Sequence, residues 1–184
     1  MNITAMYFSG TGTTKKVTAA IADELTEIKI SQDETAAGEN PGSIKAGIKP
    51  WQRAADIDFT PPAARREIYR FTPDDLVVFG VPVIAGRVPN VLLKFLDTLQ
   101  GGGALAVPVV LYGNRNFDDA LIELRNILQD RGFYAIGAAA FIGEHSFSRI
   151  LAAGRPDSSD IELSRDFARK LAGKIRRLGA AGLR

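Results

Sequence analysis

Six consecutive residues, Ser9, Gly10, Thr11, Gly12, Thr13 and Thr14, stand between an apolar run and a segment of helical period. Ser9, Thr11, Thr13 and Thr14 bring hydroxyls, and Gly10 and Gly12 let the backbone come close to a ligand. Where such a loop opens a helix, the first backbone N–H groups have no partner and the dipole end favours an anion. The combination can hold a phosphate without any positive side chain. It lacks the GKS or GKT that ends a Walker loop, and it is not G-x-G-x-x-G. The plain alternative is a polar strand-to-helix turn that binds nothing.

Glu144, His145 and Ser146 form a second cluster of reactive types. Their spacing does not suit a nucleophile elbow between strand and helix. They read better as a loop lining the ligand site or packing beside it. The chain has one histidine and no cysteine, which excludes disulfides, thiolate chemistry, multi-histidine metal sites and cysteine-held iron–sulfur clusters within it. Cysteine-free composition is compatible with the reducing cytoplasm, the expected location. The N-terminus has no secretory pattern, and no apolar run approaches a membrane span of about 20 residues. With 23 basic and 21 acidic residues, net charge +2, composition names no nucleic-acid or other partner. Seven basic residues and one acidic one fall in Arg165–Arg184; they read as a solvated helix face, or else as a docking patch.

The elements that must position these residues alternate in type. A strand over Asn2–Phe8 precedes the hydroxyl loop. A helix over Thr14–Leu25 follows, with Val17, Ile21 and Leu25 on one face. Thr26–Ile30 alternates like a second strand. Gln32–Pro62 is rich in Gly, Pro and polar residues and reads as an irregular, mobile insertion, with Trp51 as a packing anchor beside a short helix. Leu76–Val83 is apolar throughout, as a central strand covered on both faces requires. Pro89 starts a helix that buries Leu92, Phe95, Leu96 and Leu99. Ala104–Tyr112 is the fourth strand, Asp118–Arg131 a helix stopped by Gly132, and Phe133–Ile142 the fifth strand. The last helix spans Ser159–Leu178, with Leu163, Phe167, Leu171 and Ile175 spaced by four. The alternation predicts a single α/β domain over residues 1–184 with a parallel sheet and crossover helices. Ligands in such folds sit beyond the carboxyl ends of the strands. Four loops occupy those ends: Ser9–Thr14, Pro82–Pro89, Gly113–Asp118 and Gly143–Ser148.

The segment YFSGTGTTKKV resembles the phosphate loop of flavodoxins. DLVVFGVPVIAGRVPN, LYGNRNFDDAL, AAAFIGEHSFS and AAGRPDSSD are similar, in order, to the flavodoxin domain of a subgroup fused to a two-cluster ferredoxin domain. The resemblance implies a doubly wound five-stranded parallel sheet of order 2-1-3-4-5, with helices on both faces. It implies FMN, its phosphate at Ser9, Thr11, Gly12, Thr13 and Thr14. The isoalloxazine is then expected between Pro82, Val83, Ile84, Ala85, Gly86 and Arg87 on one side and Tyr112, Gly113, Asn114, Arg115 and Phe117 on the other. Backbone groups of Ala85, Gly86, Gly113 and Asn114 are expected near its polar edge. Read without the resemblance, Gly86 and Gly113 are turn glycines, Arg87 a surface charge, Tyr112 a strand-closing core residue and Asn114 a turn residue.

Two departures carry weight. The subgroup often has tyrosine at positions 84 and 117, where this chain has Ile84 and Phe117, so ring stacking beside Ile84 is weakened. The cysteine motifs of the fused relatives are missing, so the chain is expected to be either a fragment or a domain that stands alone. The leading expectation is an FMN-binding electron-transfer protein with a redox partner such as a ferredoxin. The competing expectations are an FMN-dependent NAD(P)H:quinone-type reductase, and a binding module that kept the fold without flavin.

Overall fold

The computed structural model describes residues 1–37, 51–148 and 150–180. The elements run β1 (Asn2–Tyr7), α1 (Thr13–Ala37), β2 (Gln52–Arg53), β3 (Ile57–Asp58), β4 (Asp75–Pro82), α2 (Asn90–Leu96), β5 (Leu105–Tyr112), α3 (Ala120–Asp130), β6 (Tyr134–Ala135), β7 (Ala139–Ile142) and α4 (Ser158–Ala180). β1 pairs with β4 and β4 with β5, all parallel. β2 and β3 both pair with β1, and β6 and β7 both pair with β5. Each sheet edge is therefore one interrupted strand, and the five sheet positions follow the expected order 2-1-3-4-5.

The alternation of side chains along β4 divides the core. Leu76 and Val78 join Ile3, Ala5, Tyr7, Val107 and Val109 under α1 and α4. Val77, Phe79 and Val81 join Met6, Ala106 and Val110 under α2 and α3. Both faces of the central strands are covered, which is why β4 and β5 run apolar between their ends. On the α1 side the next position is Gly80, where a Cβ would stand 2.2 Å from Thr18 Oγ1 and 2.9 Å from Thr14 Cγ2. That missing side chain lets the first turns of α1 lie directly on β4. Thr18 in turn donates to the Thr14 carbonyl at 2.7 Å, so the helix start is fixed against the sheet.

Four expectations are corrected. Thr26–Ile30 is not a strand; α1 continues through it. Leu25 and Ile28 meet the core at helical spacing, and Thr26 is buried, donating to the Ala22 carbonyl at 2.9 Å. The sheet edge comes instead from residues 51–59, inside the segment expected to be irregular. Trp51 is buried there and leads into a strand rather than a helix. Ala54 and Phe59 N–H groups donate to the Ile3 and Tyr7 carbonyls at 2.9 and 3.1 Å. Arg53 fastens this edge through Asp23 and Asp56. Residues 38–50, the middle of the expected insertion, lie outside the described residues.

The fifth strand is split at Ile136–Ala138. A Cβ on Gly137 would meet Leu171 Cδ2 at 2.5 Å, so α4 crosses the sheet at the break. Finally, Leu163 is exposed. The buried face of α4 is Ser164, Ala168, Leu171, Ala172 and Ile175, whose small members let the helix approach α1. The basic residues of α4 are exposed, and Lys174 reaches back to donate to the Ile136 carbonyl at 2.6 Å. Arg165 and Arg169 form ion pairs with Glu24 and Glu162, and Arg169 also with Asp166, as a solvated helix face does.

Candidate functional site

The hydroxyl loop leaves β1 at its carboxyl end and turns into α1. Ser9 is held from both sides: its N–H donates to Thr60 Oγ1 at 2.8 Å, and its Oγ accepts from the Lys15 N–H at 3.0 Å. The serine hydroxyl therefore satisfies one of the unpaired N–H groups in the first turn of the helix. Gly12 has φ +84, a conformation that favours glycine, and its carbonyl accepts from Lys16 N at 3.1 Å. Thr11 Oγ1 and Thr13 Oγ1 lie 3.2 Å apart. Among the described residues the N–H groups of residues 10–14 donate to no acceptor. Space beside Gly10 and Gly12 is open, since a Cβ at either would meet nothing within 4 Å. Converging donors, a helix start and room for a ligand are the requirements of a phosphate site.

The loop after β4 is a tight turn. Ile84 and Arg87 exchange backbone hydrogen bonds at 3.0 and 3.1 Å across Ala85 and Gly86, whose φ values are +51 and +75. Two successive left-handed residues give the turn its direction. Asp118 packs on Gly86, where a Cβ would lie 2.4 Å from Oδ2. Arg87 is not directed into the site. Its guanidinium donates to both carboxylate oxygens of Glu123 on α3 at 2.9 and 2.7 Å, and Val88 N–H donates to the same carboxylate at 2.9 Å. The Arg87 hydrogen bonds hold the Glu123 carboxyl below its ordinary pKa, against a smaller opposing effect of burial. The pair is a brace between the β4 loop and α3.

The loop after β5 carries Tyr112, whose ring sits 5.4 Å from that of Phe117. Phe117 stands behind Tyr112 and packs toward the α3 side of the core. Asn114 takes a left-handed turn conformation, φ +58. The fourth loop follows β7. Its anchor is His145, whose Nδ1 accepts from the N–H groups of Phe147 and Ser148, both at 3.1 Å. The imidazole lies on Gly113, where a Cβ would meet His145 Cδ2 at 2.7 Å. Further along, Arg155 is paired with Asp160 of α4. Glu144 N–H donates to the Arg155 carbonyl at 2.9 Å, which ties the loop to that helix.

Together the four loops enclose one continuous groove. A recess of about 150 Å³ runs along Gly10, Thr11, Thr13 and Thr14, with Pro82, Glu144 and Ser146 opposite. It shares Val83, Ile84, Tyr112, Gly113 and Ser146 with a wider cleft of about 670 Å³. That cleft continues over Ala85, Gly86 and Arg115 to Asn116, Asp118, His145 and Phe147. Of the residues expected to hold a ligand, Ser9 and Gly12 shape the hydroxyl loop from behind. Arg87, Asn114 and Phe117 support the groove without lining it. The remaining ones are brought together.

Phe147, Asn116 and Asp118 were not singled out from the sequence; nor were Thr60, which fixes Ser9, and Glu123, which fixes Arg87. The signal for Phe147 was its place just beyond a strand end. It is 94% exposed, and Ile84 is 51% exposed, so two apolar side chains stand in solvent at the cleft mouth. No group of three or more metal-ligating side chains occurs among the described residues. No described helix is long and apolar enough to cross a membrane.

A scan against protein-family models and a sequence comparison with curated proteins both return no match. Solved structures do match in fold. The chain is similar to a flavodoxin from the domain Archaea, with TM-score 0.57 and 14% identity over 96% of this chain and 99% of that one. It is similar to oxidised Flavodoxin 1 from Bacillus cereus, with TM-score 0.56 and 16% identity over 94% and 98%. It is also similar to the NADH:FMN oxidoreductase EMOB in its apo form, with TM-score 0.57 and 16% identity over 93% and 88%. The chain has the flavodoxin-like fold.

Proposed function

We propose that this chain binds one FMN in the groove and serves as an electron-transfer protein. The observation that carries the reading is the continuity of the groove. A recess built of hydroxyls and free N–H groups at the start of α1 opens into a wider cleft between the β4 and β5 loops. A molecule with a phosphate at one end and a flat ring system at the other matches that division. Thr11, Thr13, Thr14 and the N–H groups of residues 10–14 would hold the phosphate. Tyr112 and Ile84 would flank the ring, and backbone groups of Ala85, Gly86 and Gly113 would face its polar edge. FMN supplies the redox chemistry when bound, while the protein fixes its position and surroundings. The partner is a second redox protein, a ferredoxin being the expected kind, and the compartment the cytoplasm.

The test is a titration of the purified protein with FMN, followed by flavin fluorescence and visible absorbance. Replacing Thr11 and Thr13 together with Glu puts two negative charges where the phosphate belongs. Binding should fall by at least about a hundredfold through repulsion and blocked donors, on the order of 3 kcal/mol. Equal affinity in parent and double variant would remove the phosphate assignment.

One observation favours a second reading, an FMN-dependent NAD(P)H:quinone-type reductase. The ring position is flanked by the half-exposed Ile84 rather than by a covering aromatic, so a small substrate could reach it. FMN-dependent NADH oxidation that requires a quinone would establish this reading. Electron exchange with a reduced ferredoxin, with no NAD(P)H turnover, would establish the first.

A further inference from the structure

The chain's single histidine is more constrained than a loop residue needs to be. His145 Nδ1 accepts two backbone N–H groups, from Phe147 and Ser148, each at 3.1 Å. A nitrogen that accepts carries no proton, so the proton of the neutral imidazole is on Nε2. Among the described residues no acceptor takes that Nε2–H. His145 lines the wide cleft, and its ring rests against Gly113, which also lines it. At Gly113 even a Cβ would collide with His145 Cα, Cβ and Cδ2, at 2.8, 2.9 and 2.7 Å. A third bond, from His145 N–H to the Leu151 carbonyl at 3.3 Å, closes the loop behind it. The imidazole is thus fixed in tautomer by one nitrogen and in position by its fit on the β5 loop.

We propose that His145 is a ligand-binding donor whose Nε2–H bonds an acceptor atom on the ring portion of the bound flavin. The inference rests on the FMN reading of the groove and adds a specific contact to it. The isoalloxazine presents carbonyl oxygens and unprotonated ring nitrogens along one edge. In the FMN reading, backbone groups of Ala85, Gly86 and Gly113 face that edge, while the recess hydroxyls and N–H groups are taken by the phosphate. On the His145 side the imidazole Nε2–H is a donor whose orientation is already set before any ligand arrives. A preset donor loses little freedom on binding, which favours the bound state. The contact is to the ring and not to the phosphate, so it should act on riboflavin as it does on FMN.

The histidine's two nitrogens can be tested apart. Asparagine can reproduce the Nδ1 acceptor but does not reach as far as Nε2. His145→Asn should keep the melting temperature close to that of the parent while weakening FMN and riboflavin alike, by about tenfold, as loss of one hydrogen bond does. The double Thr11 and Thr13 variant should differ, losing FMN while keeping riboflavin.

Nitrogen-15 NMR of the unaltered protein needs no variant, because one histidine gives one pair of ring signals. It should show Nδ1 unprotonated and Nε2 protonated without ligand, and riboflavin should shift Nε2 and slow exchange of its proton. An Nδ1-protonated ring, or an Nε2 signal unmoved while the Gly113 amide shifts with riboflavin, would overturn the proposal. So would unchanged riboflavin affinity in His145→Asn. If neither flavin moves the amides of residues 10–14 or Gly113, the FMN reading itself fails, a result distinguishable from failure of the histidine contact alone.

Discussion

Single side chains in this site do one of two jobs, and the geometry separates them. Arg87 was legible in the sequence as a positive charge in a ligand loop, but it is spent on Glu123, which accepts three hydrogen bonds. Its partner lies 36 positions away on another element, so nothing local could reveal the pair. Because the folded-state pKa of Glu123 is lowered, its contribution is fully present above the ordinary carboxyl value of about 4.3. It is lost as the pH falls through the lower folded value. Glu123→Gln should therefore cost about 1 kcal/mol in urea unfolding at pH 7, with allowance for the half-exposed Arg87, and the difference from the parent should vanish in acid. The positive group that does line the cleft is Arg115. A cation beside a ring that gains negative charge stabilises the reduced form. Arg115→Gln should lower the flavin reduction potential at low ionic strength, by less than about 59 mV, the one-electron equivalent of a tenfold change. Added salt should shrink the effect, and spectroelectrochemical titration reads it.

At the scale of elements, the central strands and the helix that begins after the hydroxyl loop are visible in the sequence because each satisfies its whole environment locally. Leu76–Val83 must be apolar on both faces, and Val17, Ile21 and Leu25 must share one face. The edge strand is not visible. Gln52–Arg53 and Ile57–Asp58 pair over two residues each and rely on β1 for their partners. Such segments carry little periodicity, and Ile28–Ile30 offers a better alternation at a place where the helix simply continues. The two-residue pairing of β6 is equally faint, and only its tertiary neighbour Leu171 explains the break at Gly137. The site depends most on the contact of α1 with β4 at Gly80. Gly80→Ala places a methyl 2.2 Å from Thr18 Oγ1 and should destabilise the fold by about 1–3 kcal/mol. Adding Thr18→Ala should restore part of that loss, because it removes the nearest atom. Urea unfolding of Gly80→Ala, Thr18→Ala and the double variant measures the coupling, and full additivity would mean that the two residues are not in conflict.

For the whole molecule, the doubly wound sheet brings four loops to one end, and each contributes a different resource: hydroxyls and N–H groups from the first, a tight turn and Ile84 from the second, Tyr112 and Arg115 from the third, His145 and Phe147 from the fourth. Composition has no part in this, since balanced charge and an absence of cysteine exclude functions without choosing one. The order of the loops along the chain was readable, because strand ends can be located from apolar runs. Their joining into one groove was not, because it depends on left-handed turns at Ala85, Gly86, Asn114 and Asp118 and on the seating of His145 over Gly113. The central claim is that this groove takes a flavin by both its phosphate and its ring. Equilibrium titration of the purified protein with FMN and, in parallel, with riboflavin tests it most directly. The account predicts a yellow protein that saturates at one FMN per chain and binds riboflavin at least about tenfold more weakly, the phosphate site accounting for the difference. No saturable binding of either flavin, or equal affinity for the two, would contradict it.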